Sequence, residues 1–132
     1  MRTECAVLCD AANVRDGLLH ILGAGVTQVA VPELPAQLPI TLALRVVEES
    51  REIRPGHTVL IELFSYTSQV VASMSLQFLI DPEAPITGEG ALAAPIPLHS
   101  FTVERAGRYT VKVSLDTTVL AELPLKVEKM AV

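Results

Sequence analysis

Tyr109-Thr110-Val111-Lys112-Val113-Ser114-Leu115-Asp116 alternates apolar and polar side chains, and Val119-Leu120-Ala121-Glu122-Leu123-Pro124-Leu125-Lys126-Val127 repeats the pattern after the tight Asp116-Thr117-Thr118 turn. A period of two is that of a strand with one face buried, so Tyr109, Val111, Val113 and Leu115 are expected to face a core with Val119, Ala121, Leu123, Leu125 and Val127. Two such runs around a short turn make an antiparallel hairpin. The same pattern extends upstream. Val59, Ile61 and Leu63 alternate with Leu60, Glu62 and Phe64, and Tyr66-Thr67-Ser68-Gln69 turns the chain into Val70, Ala72, Met74, Leu76, Phe78 and Ile80, with Ser73, Ser75 and Gln77 opposite. Ile40, Leu42, Leu44 and Val46 alternate with Thr41, Ala43, Arg45 and Val47. No stretch sustains a period of 3.6, so the chain reads as all-β with little or no helix.

Outside these runs, turn residues set the organisation. Residues 4–10 and 18–22 are apolar segments separated by Asn13, Asp16 and Gly17, which predicts a hairpin between them. Gly23 and Gly25 mark a bulge or a close backbone approach. Pro32, Pro35 and Pro39 cannot donate to a ladder and predict a crossover between sheets. Residues 48–56 read as a charged loop, residues 81–90 as a long loop, and residues 98–103 as an edge or irregular strand after Pro95 and Pro97. There is no internal repeat, and the prolines are spread through the loops, so residues 1–132 read as a single domain of about eight antiparallel strands.

Ala106-Gly107-Arg108-Tyr109-Thr110-Val111 resembles the corner before strand F of immunoglobulin-like sandwiches, where a tyrosine hydroxyl bonds back to the loop backbone. The resemblance implies an immunoglobulin-like Greek-key β-sandwich. Val111 stands where antibody domains have a cysteine, and the chain has no tryptophan, so only the broad architecture carries over. Five stretches, Leu8-Cys9-Asp10-Ala11-Ala12, Ile21-Leu22-Gly23-Ala24-Gly25, Val31-Pro32-Glu33-Leu34-Pro35, Gly107-Arg108-Tyr109 and Leu123-Pro124-Leu125-Lys126-Val127, resemble in order and spacing a family of small uncharacterised all-β bacterial proteins of actinobacterial type. That family is a domain of unknown function. It implies a fold and supplies no catalytic residues.

Composition excludes several classes of function. Leu, Ile, Val and Phe fill 44 of the 132 positions, well above the roughly 20% below which chains stay disordered. Ten Lys and Arg against 15 Asp and Glu give a net charge of −5, which offers no electrostatic reason to approach nucleic acid or an anionic membrane. Gln28, Pro32, Arg45, Glu62, Gln77 and Asp81 interrupt every apolar run before the roughly 18 residues of a membrane span. The first ten residues lack the apolar core and cleavage site of a signal peptide, so a cytoplasmic location is expected.

Few residues suggest chemistry. Cys5 and Cys9 on one strand would hold their Cα atoms about 13 Å apart at ~3.3 Å per residue, beyond the disulfide limit of roughly 7 Å. Sharing a face with Val7, and with no cationic neighbour in view, they read as packing residues. His20, His57 and His99 never make the paired spacings of a metal site; two are expected in strands and one in a loop. A cluster of His20, His99 and Cys9 could assemble only through the fold. Asp10, Asn13, Arg15 and Asp16 form the densest polar group, read as turn-capping residues in preference to a calcium loop or an acid–base pair. Residues 48–54 read as a solvated run of mixed charge. Gly23-Ala24-Gly25 lacks the third glycine of a phosphate loop, and no serine elbow is present.

No catalytic, cofactor-binding or metal residue is therefore expected, nor any cofactor. Apolar residues on both faces at Val70-Val71, Leu79-Ile80 and residues 5–8 and 18–22 favour a non-catalytic interaction or scaffold module that forms a homodimer or higher oligomer or binds another protein. The alternative is a small-ligand or metal pocket near Asp10, His20 and His99, with or without catalysis.

Overall fold

A computed structural model describes residues 2–48, 56–79 and 90–131. In chain order the strands are β1 (Arg2–Cys9), β2 (Ala11–Arg15), β3 (Leu18–Leu22), β4 (Gln28–Val31), β5 (Ala36–Gln37), β6 (Thr41–Glu48), β7 (Gly56–Ser65), β8 (Val70–Leu79), β9 (Gly90–Pro97), β10 (Thr102–Val103), β11 (Gly107–Leu115) and β12 (Thr118–Lys129). No helix occurs among the described residues. A five-stranded sheet, β4-β12-β11-β7-β8, faces a three-stranded sheet, β1-β6-β9, and two short pairs, β2-β3 and β10-β5, complete the β-sandwich. The loop expectations for residues 49–55 and 81–89, and the place of Ile80, lie outside the described residues.

The period-two runs become the inner faces of the two sheets. Leu42, Leu44 and Val46 from β6 meet Val59, Ile61 and Leu63 from β7 and Val111, Val113 and Leu115 from β11 in one core. The crossover at Pro32, Pro35 and Pro39 carries the chain from β4 in one sheet to β6 in the other, with a cis Leu34–Pro35 peptide on the way. The Tyr109 hydroxyl donates to the Arg105 carbonyl at 2.6 Å, and the ring is buried. This is the corner that Ala106–Val111 resembles, and it ties the loop to the start of β11. Tyr109→Phe removes the donor and leaves a carbonyl unpaired. A loss of about 1–2 kcal/mol is expected, read as a lower urea midpoint at unchanged slope.

Several local expectations are corrected. Residues 4–10 do not pair with residues 18–22. Instead β1 pairs with β6, and Ala11–Arg15 is itself a strand paired with β3. The reason is the turn: Asp16 (φ 53°) and Gly17 (φ 73°) form a two-residue connection of the kind that matches strand twist, so the hairpin is tight. The β4–β12 pair is parallel. The strands outnumber the expected eight because β5 and β10 have two residues each and the first hairpin is separate. Pro95 and Pro97 lie within β9, tolerated on a sheet edge. Register shifts alter two faces. Leu120 is the extra residue opposite Val113 and Ser114, which turns Val119 out to solvent, and the neighbouring Ser114 is buried where a wet face was expected. Val71 is the extra residue opposite Leu63 and Phe64, which leaves both Val70 and Val71 exposed.

Candidate interaction surface

The residues considered for chemistry are dispersed. Cys9 is buried with its thiol 3.3 Å from the Thr41 carbonyl, and Cys5 is half-buried with its thiol 3.9 Å from that of Ala43. Burial pushes both thiols above their ordinary range, and the nearby Asp10 charge raises Cys9 further. The thiolate is therefore disfavoured in the folded chain, so stability falls as pH rises through and beyond the ordinary thiol range. Folded protein is expected to react with a disulfide reagent at pH 7.5 at least tenfold more slowly than urea-unfolded protein, a comparison made in a spectrophotometer.

His20 is exposed on β3 and His99 is exposed in the turn after β9, while Cys9 is enclosed. Among the described residues no three His, Cys, Asp or Glu side chains stand close enough to hold a metal. The four polar residues near the start also separate. The Asp10 carboxylate occupies the space that a Cβ at Gly23 (φ 68°) would need, and the Asp10 amide donates to the Leu22 carbonyl at 3.1 Å. Asp10 is thus a turn residue, Asp16 sits in the β2–β3 connection, and Asn13 and Arg15 are exposed on β2. A shallow groove beside Pro32, Glu33, Pro35 and Pro39 offers one ionisable side chain.

Sequence reasoning missed one polar pair, a buried histidine held by a half-exposed aspartate. His57, at the start of β7, is 4% exposed, and its Nδ1 lies 2.8 Å from Asp116 Oδ2. Asp116 Oδ1 also accepts the Thr58 amide at 3.1 Å, while the Asp116 amide donates to the Thr58 carbonyl at 2.8 Å. The β11–β12 turn is clasped to β7 by these bonds. Against a carboxylate Nδ1 is the donor, and Nε2 is buried with no partner among the described residues. The signal was present in the sequence: His57 continues the core register of Val59, Ile61 and Leu63.

Part of what the fold leaves outside is apolar. The β2–β3 hairpin lies across β6 and β9 on the side away from the main core, where Ala43 and Cys9 are fully buried. Ala12 and Ile21 share its half-buried face, whereas Leu18 and Leu22 point outward at 60% and 71% exposure. At the far end of the other sheet, Tyr66 is 82% exposed in the β7–β8 turn, next to the exposed Val70 and Val71. Between these regions the outer face of the five-stranded sheet is mixed in charge. Lys112 stands opposite Glu62 on one side and Glu122 on the other, with its ammonium 5.7 Å from the Phe64 ring centre. The outward apolar area is thus concentrated on the hairpin and on the β8 margin.

The profile of a family of unknown function (DUF6941) matches residues 4–128. The chain belongs to this family. The expected resemblance to an uncharacterised all-β family is thereby met, and membership assigns no activity to any residue. No functionally curated protein matches the chain. Among solved structures it is similar to an immunoglobulin-like protein from Pseudomonas aeruginosa, determined at 1.50 Å resolution, with 16% identity, a TM-score of 0.42, and coverage of 92% of this chain and 91% of that one. The sandwich reading rests on the sheet order and the Tyr109 corner rather than on that likeness. No helix among the described residues is long and apolar enough to cross a membrane.

Proposed function

We propose that the chain is a non-catalytic protein-interaction module that associates with itself in a reducing, cytoplasmic setting. The observation that carries this reading is the apolar surface that the sandwich leaves uncovered: Leu18, Leu22, Tyr66, Val70 and Val71 are exposed, and Ala72, Met74, Leu76 and Phe78 on β8 stay only half-buried. Covering a large apolar side chain is worth about 1.5–3 kcal/mol. A few of them meeting a partner therefore supply a useful fraction of a micromolar affinity, about 8 kcal/mol. Symmetric self-association covers such surface on both copies at once. The two free thiols fit a compartment in which disulfides are not maintained.

Light scattering behind size exclusion, run at micromolar concentration, tests the reading. A mass that is a multiple of 14.2 kDa is expected. A mass of 14.2 kDa at every concentration would overturn self-association.

A further inference from the structure

An edge strand offers unpaired N–H and C=O groups to any other strand, and most edges carry features that hinder such pairing. Three of the four main edges here do so. In β1, Glu4 is bulged between Thr3 and Cys5 and forms an ion pair with Arg2 at 3.1 Å. β9 contains Pro95 and Pro97. β4 has four residues and stops at Pro32. The fourth edge, β8, reads Val-Val-Ala-Ser-Met-Ser-Leu-Gln-Phe-Leu: ten residues without a charge, a proline or a glycine. Beyond the bulge at Val71 its pairing with β7 is regular over residues 72–79, and among the described residues no strand pairs with its outer side. Three strands cannot span five. Ala72, Met74, Leu76 and Phe78 point toward the core yet remain only half-buried.

We infer that β8 pairs antiparallel with β8 of a second copy, about a two-fold axis at Ser75, so that the two five-stranded sheets become one. The inference rests on the self-association proposed above and names its surface. An axis through a residue keeps core-facing side chains on the core side in both copies, whereas a one-residue slip would turn them out. Placed at Ser75, it sets Met74 opposite the partner's Leu76, Ala72 opposite the partner's Phe78, and Ser73 opposite the partner's Gln77. Apolar then meets apolar on the inner face, with Ala72 leaving room for the partner's Phe78, and polar meets polar on the outer face. The seven residues 72–78 are used in each copy, and the bulge at Val71 stays outside the pairing.

Electrostatics does not oppose a second copy despite the net charge of −5. The nearest carboxylate on the outer face, Glu62, sits one strand in, opposite Ser73. Two copies hold their Glu62 groups at least three strand spacings apart, about 14 Å, beyond the ~8 Å screening length at physiological salt.

Two variants test the pairing. Ser75 is exposed, and lysine is well tolerated on edge strands, so Ser75→Lys folds while setting two ammonium groups face to face on the axis. Its dimer is expected to weaken at least tenfold by light scattering, whereas Thr102→Lys on β10, an exposed position away from both apolar regions, leaves the mass unchanged. In a Cys5→Ser background, Ser75→Cys is expected to be captured as a covalent dimer by a short bismaleimide. A Ser75→Lys chain that stays dimeric, or a Ser75→Cys chain that resists cross-linking while dimeric, overturns the β8 surface and leaves self-association standing. A monomeric wild-type chain overturns both.

Discussion

Leu44→Ala should lower stability by about 3–5 kcal/mol, the upper part of the range for a buried leucine. Leu44 is fully buried on β6, the middle strand of its sheet. Its partners in register on either side are Ala6 and Ala94. Neither alanine has atoms to move into the space, and the facing sheet is held by its own ladder, so the cavity stays open. A cavity that cannot collapse costs the transfer energy of the lost atoms plus the lost dispersion contacts around it. Leu18→Ala, by contrast, changes a side chain that points to solvent and is expected to shift stability by no more than about 0.5 kcal/mol. Urea titrations of the two variants check the pair. Equal midpoints would show that the core is not where the sandwich places it.

Asp116→Ala is the second large effect, about 2–4 kcal/mol. The carboxylate accepts from His57 Nδ1 and from the Thr58 amide, so its removal strands the buried ring donor and takes the acceptor from a solvent-accessible backbone amide. Asp116 also holds φ at 54°, a left-handed conformation that aspartate and asparagine tolerate and alanine resists. Asp116→Asn keeps that tolerance and one acceptor, and is expected to cost about 1 kcal/mol. His57→Leu should cost less than Asp116→Ala, because it removes the Nδ1 donor and the unpartnered Nε2 together. Thermal melts of the three variants give the order. Alanine and asparagine variants with the same midpoint would contradict the clasp.

The architecture was legible wherever local pattern and tertiary burial agree. The runs from Tyr109 and from Val59 had one apolar face each, and the prolines at 32, 35 and 39 announced the change of sheet. Local reading failed where the decisive partner is distant in sequence. Ala11–Arg15 shows no strong alternation, and it is a strand because β3 folds back on it. The parallel pairing of β4 with β12 joins segments about a hundred residues apart, with no local trace. The bulges at Val71 and Leu120 are backbone events, and each reversed the expected exposure of a valine. The His57–Asp116 pair is split across 59 positions, so only the histidine's place in the register of Val59 could have flagged it. For the same reason Cys9, His20 and His99 could be named as a conceivable cluster from sequence, and only the fold shows them apart.

Backbone deuterium exchange along β8 is the most direct measurement of the claim that this edge is covered by the β8 of a second copy. Alternate amides of an edge strand point away from the sheet and exchange freely when nothing pairs with them. Above the association constant, all amides of residues 72–78 are expected to be protected, and on dilution the outward-pointing ones alone should lose protection. Outward amides that exchange at unprotected rates at every concentration would contradict it.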